Sequence, residues 1–338
     1  MTVLVQTYFS IRISFTEVAE QIISALNDVD WERGDYFYHI PFKAYDAVLY
    51  IGSMMNQDVS RYWRYVWWTH KHIYYGVTEG PPILSPFNRS AASNMRIIVP
   101  SEYVKWELEQ AGLRVDGIIP HGVELDAIRS VPRDNEWRRI FGDRFVCLYV
   151  AHRNIRKGFK ELCEAWKKTR ASKDDNVLLV LHTSRRPNTQ SGEDYVIPED
   201  GNIVVTDNVH KLDRESLYGL YRAADLYIHG ALAEGFGIPV IEAIAAGVPA
   251  ITIDAKPMSE LNRVREARVR VADQKVYVDR GVASYRLNIP DQEHYAELID
   301  AMIYDKQFRD EVKAKQQSYI HEYDVYKVYQ RFRRWISL

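Results

Sequence analysis

One run of sixteen residues leaves the backbone few choices: Glu234-Gly235-Phe236-Gly237-Ile238-Pro239-Val240-Ile241-Glu242-Ala243-Ile244-Ala245-Ala246-Gly247-Val248-Pro249. The apolar stretch Leu226-Tyr227-Ile228-His229 before it reads as a buried strand. Gly235 and Gly237 supply turn dihedrals that other residues avoid. Pro239 opens a helix where its missing N–H costs nothing. Val240, Ile241, Ile244 and Ala245 give that helix an apolar face. Gly247 ends it, Pro249 keeps it ended, and Ala250-Ile251-Thr252-Ile253 is the next buried strand. The predicted unit is strand, glycine turn, short helix, strand.

Such a unit suits an anion. First-turn helix amides lack an internal acceptor, the helix dipole adds about half a positive charge there, and glycines let a phosphate approach the backbone. Two carboxylates flank this position, Glu234 before the turn and Glu242 in the helix. They would repel a phosphate, so they serve another part of the ligand, and a carboxylate suits the vicinal hydroxyls of a ribose or sugar. For Glu242 alone, complementing the helix dipole fits equally well.

Two glutamates eight positions apart around Gly-Phe-Gly, followed by Ala-Ala-Gly-Val-Pro, resemble the signature of the retaining GT-B glycosyltransferases of family 4. The resemblance implies an α/β protein of the GT-B fold, two Rossmann-like doubly wound domains facing a central cleft. It covers the second half of the chain well and the first half loosely.

The residues themselves support two domains. The chain has 338 residues, 46% hydrophobic and 27% charged, an ordinary globular balance. Strands expected at 3–8, 46–51, 65–68, 95–99 and 115–119 alternate with helices at 15–26 and 102–111. After a polar interdomain segment at 120–143, a second alternation has strands at 145–150, 177–182, 203–206, 226–229 and 250–253, with helices at 158–169 and 214–223. Alternation of this kind gives largely parallel sheets. The expected domains are 1–130, binding the acceptor, and 131–315, binding the nucleotide sugar. The tail is helical from 291 to 335, and the resemblance implies that 316–338 crosses back to the first domain.

A formal net charge of −2 argues against nucleic acid as a partner. Cys147 and Cys163 both sit among apolar residues, which reads as buried thiols in a reducing compartment. The first residues lack a signal-peptide layout and no apolar run reaches membrane-spanning length, so the expected location is cytoplasmic. The basic-aromatic cluster Arg331-Phe332-Arg333-Arg334-Trp335 reads as a solvated helix end, with weak peripheral membrane contact as the alternative.

Sugar transfer from a nucleotide diphosphate requires neutralising the leaving diphosphate. Ala151-His152-Arg153-Asn154-Ile155-Arg156-Lys157-Gly158 follows the strand 145–150 and offers cations at a strand end. By resemblance, Arg153 and Lys157 match the family's diphosphate-binding Arg and Lys, with His152 where a Gly is usual. Arg156 reads as a surface charge. The resemblance assigns Glu242 to the ribose, Glu234 to the reacting sugar, and Gly235, Phe236, Gly237 and Ile238 to the sugar and diphosphate. It places base contacts in 206–210, including Val209. No Asp-x-Asp sits at a strand end, so no metal or other cofactor is required beyond the nucleotide-diphosphate sugar, UDP-sugar first and GDP-sugar second. His70, read as closing a strand at Tyr65-Val66-Trp67-Trp68, resembles the acceptor-side histidine, with His72 second. His121-Gly122-Val123-Glu124 resembles the family's hinge turn. The first strand–helix turn, Phe9-Ser10-Ile11-Arg12-Ile13-Ser14, lacks the family's Gly-Gly pair, and Arg12 or Ser14 takes its place in this reading.

The expected function is therefore metal-independent, front-face transfer of a hexose, with retention, to a hydroxyl of a saccharide, lipid or protein. Two rivals are a sugar-nucleotide-binding module without catalysis and a phosphorylase or sugar-phosphate synthase on the same fold. The sequence leaves the sugar, the acceptor and the oligomeric state open.

Overall fold

The computed structural model describes residues 2–10, 14–187, 194–199, 201–207 and 212–337. Its contacts divide the chain into two units: Met1–Gly122 with Tyr277–Tyr285 and Tyr323–Leu338, and Val123–Val276 with Arg286–Glu322.

The first unit carries β1 (Thr2–Thr7), β2 (Asp30–Asp35), β3 (Ala47–Ser53), β4 (His72–Val77), β5 (Arg96–Val99) and β6 (Gly117–Ile118). They form one sheet in the order β2-β1-β3-β4-β5-β6, parallel throughout. β3 and β4 are buried at every residue, as expected of parallel strands covered on both faces. β2, Asp-Trp-Glu-Arg-Gly-Asp, has no apolar pattern and went unread in the sequence. It is the sheet edge, and charge along an edge strand discourages further pairing.

One expectation fails here. Tyr62–Tyr65 is a turn of helix and Trp67 stands 90% exposed, so no strand occupies 65–68. Buried Asp58 and Arg61 pair at 2.9 Å, three positions apart, which favours helical winding over the strand preference of the aromatics that follow. The strand lies at His72–Val77 instead, paired from Val48↔His72 to Ser53↔Val77. The segment 120–143, read as interdomain, contains the boundary after Gly122 and also holds helices Leu125–Ser130 and Glu136–Phe141.

The second unit carries β7 (Phe145–Val150), β8 (Val177–His182), β9 (Ile203–Val205), β10 (Leu226–Ile228), β11 (Ala250–Ile253) and β12 (Arg268–Val269). Their order is β12-β11-β10-β7-β8-β9, with the pairs parallel. From the central pair β7 and β10 the chain winds outward in opposite directions. Connections leaving the carboxyl ends of those two strands therefore diverge and open a crevice, the ligand position in doubly wound sheets.

β13 (Val271–Asp279) and β14 (Ala283–Pro290) form a separate hairpin that sequence reading missed. Arg280 and Gly281 turn it with φ of 47° and 72°. The tail is helical, as expected, over Gln292–Tyr304, Lys306–Tyr319, Val325–Tyr329 and Arg333–Ile336, with Asp291, Asp305 and Asp324 accepting first-turn amides. Within the first unit Phe332 is buried and Trp335 lies against Gly117, so the aromatic half of the Arg331–Trp335 cluster faces inward. No helix among the described residues is long and apolar enough to cross a membrane.

Candidate active site

The two loops that leave β7 and β10 are drawn together by backbone. Leu232 N donates to Arg156 O at 2.7 Å, and Ala233 N to the same oxygen at 3.3 Å. Gly158 is left-handed (φ 59°), and a Cβ there would fall 2.2 Å from Gly230 O, so only glycine permits this approach. Tyr149 holds the first loop from below, its hydroxyl donating to Lys157 O at 2.8 Å.

This closeness brings Lys157 and Glu234 together. Lys157 Nζ donates to Glu234 Oε1, Arg156 Nη1 lies 3.0 Å from Oε2, and His229 Nε2 lies 3.6 Å from Oε1. Glu234 is 9% exposed and His229 1% exposed. Burial works to raise the Glu234 carboxyl, but Lys157 and Arg156 outweigh it and hold it well below the usual carboxylate range. Burial pushes His229 down, against the opposing pull of Glu234. An ionised carboxylate thus sits at the crevice with two cations that a phosphate can also engage.

Arg156 is therefore no surface charge. It also donates to Ala233 O at 3.1 Å and fixes the turn before Gly235. Arg153 is buried differently: its guanidinium lies 5.0 Å from the Phe159 ring centre and donates to Tyr195 O.

Gly237 caps helix Ile238–Ala245 with φ 102°, and Pro239 falls in its first turn. Gly235 and Phe236 are buried and Ile238 half-buried. Glu242 accepts from the Tyr221 hydroxyl at 2.9 Å, which fixes the carboxylate's direction. Tyr218 donates to Glu124 at 2.7 Å, as does Arg214, so the His121–Glu124 turn ends on the helix Arg214–Ala223 beside Tyr221. Val209 lies outside the described residues, as does Arg12.

In the first unit, His70 is exposed and precedes β4. It stands at the amino end of that strand, away from the carboxyl end that made it an acceptor-side candidate. His72 is buried between Tyr50, whose hydroxyl lies 2.9 Å from Nδ1, and Thr69 O, 3.1 Å from Nε2. Burial lowers it to about 4. Ser14 is exposed at the start of helix Ser14–Ala25.

Arg156, His229, Tyr221 and Glu124 thus escaped sequence reading as site residues. His229 had one visible signal, a polar residue closing an otherwise apolar strand. Tyr221 had none, since a tyrosine on a helix face reads as core.

Comparison with known proteins identifies the class. The family model described as glycosyl transferases group 1 matches residues 132–319, and the chain belongs to this family: it is a glycosyltransferase. It is 22% identical over 279 residues, 78% of this chain and 79% of the other, to uncharacterized glycosyltransferase 335 of Sulfolobus islandicus rod-shaped virus 1. It is 26% identical over 226 residues to the phosphatidyl-myo-inositol mannosyltransferase of Mycobacterium leprae, covering 65% of this chain and 56% of that one. Anabaena HepE, solved in complex with UDP and glucose, superposes with a TM-score of 0.73 at 16% identity, over 100% of this chain and 99% of that one. Trehalose-6-phosphate protein from E. coli, solved with UDP-2-fluoro glucose, gives a TM-score of 0.68 at 11% identity, over 100% of this chain and 99% of that one. These likenesses establish the GT-B fold.

Proposed function

We propose that the protein transfers a hexose from a nucleotide-diphosphate sugar, a UDP-sugar first and a GDP-sugar second, to a hydroxyl of a saccharide or lipid, with retention. The observation that carries this reading is the Lys157–Glu234–Arg156 cluster at the β7/β10 crevice, beside the helix that Gly237 caps. Support for a UDP donor comes from the ligands of the two solved relatives, and for a lipid acceptor from the mycobacterial mannosyltransferase.

In this reading residues 131–315 bind the donor, 1–130 bind the acceptor, and 316–338 return to the first domain. Lys157, Arg153 and the amides of Gly235–Ile238 stabilise the departing diphosphate without a metal. The sugar C1–O bond to phosphate breaks, a bond from C1 to the acceptor oxygen forms on the same face, and the acceptor proton passes to the departing phosphate oxygen. Glu234 accepts from sugar hydroxyls and Glu242 from the ribose.

A thermal-shift panel of UDP, GDP, ADP, CDP and TDP, each with and without EDTA, tests it. The expected result is one nucleotide raising the melting temperature equally in both, by about 2.7 kcal/mol of stabilisation at 100-fold excess over Kd. No shift from any nucleotide overturns the reading. The anomeric configuration of the product then reports retention or inversion.

A further inference from the structure

We infer that His229 is a positioning residue: it holds the Glu234 carboxylate in place while the two neighbouring cations turn toward the donor's diphosphate. The inference rests on the donor-site reading above. Three side chains among the described residues reach Glu234, Lys157 and His229 at Oε1 and Arg156 at Oε2. Lys157 and Arg156 are charged groups on flexible stems, and a diphosphate competes with Glu234 for both. His229 cannot follow. Its ring is wedged edge-on against Tyr149, 6.0 Å between centres, and tilted against Tyr227 at 6.4 Å. It directly follows β10 at full burial, where an imidazole stays neutral.

A neutral imidazole has one N–H to place. Nδ1 is buried without a hydrogen-bond partner among the described residues, whereas Nε2 faces Glu234. Placing the proton on Nε2 aims the dipole at the carboxylate, and the stranded Nδ1 lone pair is the cost of that direction. At 3.6 Å the contact is longer than a hydrogen bond while Lys157 occupies the same oxygen. Once Lys157 shifts to phosphate, a movement of a few tenths of an ångström closes it. His229 therefore acts on the sugar end of the donor through Glu234, and leaves the nucleotide end alone.

The test measures UDP and UDP-glucose affinity and donor turnover in the full-length wild type, His229→Phe, His229→Asn and His229→Gln. GDP and GDP-mannose replace them if the wild type prefers guanine. Phe keeps a ring without a donor, Asn places its amide too far back, and Gln carries a donor nitrogen near the Nε2 position. The expected result is UDP affinity within about twofold in all four, with UDP-glucose affinity and turnover about tenfold lower in the Phe and Asn variants and largely restored by Gln. Equal weakening of UDP and UDP-glucose marks a structural role and overturns the inference, as does no change in any variant. Should Phe fail to fold by thermal melt, the Asn and Gln pair carries the comparison. Glu234→Gln separates the two failures. If it keeps full turnover, the donor-site reading falls; if it loses turnover while the His229 variants do not, only the positioning role falls.

Discussion

Arg156 Nη1 lies 3.0 Å from Glu234 Oε2 although 78 positions separate the two in the chain. The pair joins the loop after β7 to the loop after β10, so the crevice between them is organised by charge as well as by backbone. Glu234 has two cationic partners and all three side chains are largely buried, so removing one cation leaves the carboxylate paired and removing both strands it. Arg156→Met or Lys157→Met alone should lower unfolding free energy in urea by about 1 kcal/mol and reduce turnover, and the double variant should lose about 3 kcal/mol. Adding Glu234→Leu to the double variant should recover much of the stability and none of the activity. Wild-type turnover in the Lys157 and Arg153 single variants would remove both from the transition-state assignment.

Tyr221→Phe deletes the hydroxyl that orients Glu242 and leaves the ring. The expected stability loss is about 1 kcal/mol. Nucleotide affinity should fall several-fold, because a carboxylate free to rotate binds vicinal hydroxyls less well. Isothermal titration with UDP checks this, and unchanged affinity would return Glu242 to a helix-dipole role.

Gly112 and Gly158 both have positive φ, 76° and 59°, but a Cβ at Gly112 meets only Arg89 Nη1 at 4.0 Å whereas one at Gly158 meets Gly230 O at 2.2 Å. Gly112 ends its helix with Leu113 N donating to Leu108 O, the left-handed cap geometry, so Gly112→Ala should cost about 1 kcal/mol, the left-handed strain alone. Gly158→Ala should cost at least twice that and lower turnover, since the backbone must separate where Lys157 meets Glu234. Chemical denaturation and donor turnover of the two variants side by side decide it.

His72 and His121 are buried and neutral, held by burial at about 4 and about 3. Their folded values lie below the unfolded 6.5, so the unfolded chain binds the extra protons as pH falls. Their stabilising effect is complete above pH ~6.5 and is lost downward from there, at about 1.4 kcal/mol per unit and histidine. Urea unfolding between pH 7 and pH 5 should show this slope before the carboxylates titrate. His72→Phe should reduce it by about one proton. A flat profile over that window contradicts neutral burial of either ring.

Local chemistry in the sequence was enough for the second unit's frame. β7, β8 and β11 appear at the expected residues, as does helix Arg214–Ala223, because unbroken apolar runs and glycine or proline punctuation act within a few residues. The Glu234–Glu242 motif was legible for the same reason. β2 and the β13/β14 hairpin were not. The residues of β2 and β13 are mostly polar or exposed, β14 is largely buried but has no continuous apolar run, and the conformation of all three follows from what they pair with. The strand at His72–Val77 was misread because aromatic residues favour strands locally, while the buried Asp58–Arg61 pair winds the preceding chain into helix.

The sequence by itself determined that a glycine turn and a helix would follow a buried strand, with carboxylates flanking the turn and cations at a second strand end. Only the tertiary structure decided which of those groups meet. Lys157 and Arg156 reach Glu234 because Gly158 lets two loops distant in sequence touch, and His229 faces the same carboxylate because β10 ends there. Pairing of charges across a fold depends on distances set by strand order. That order is a property of the whole sheet, so no short window of sequence carries it.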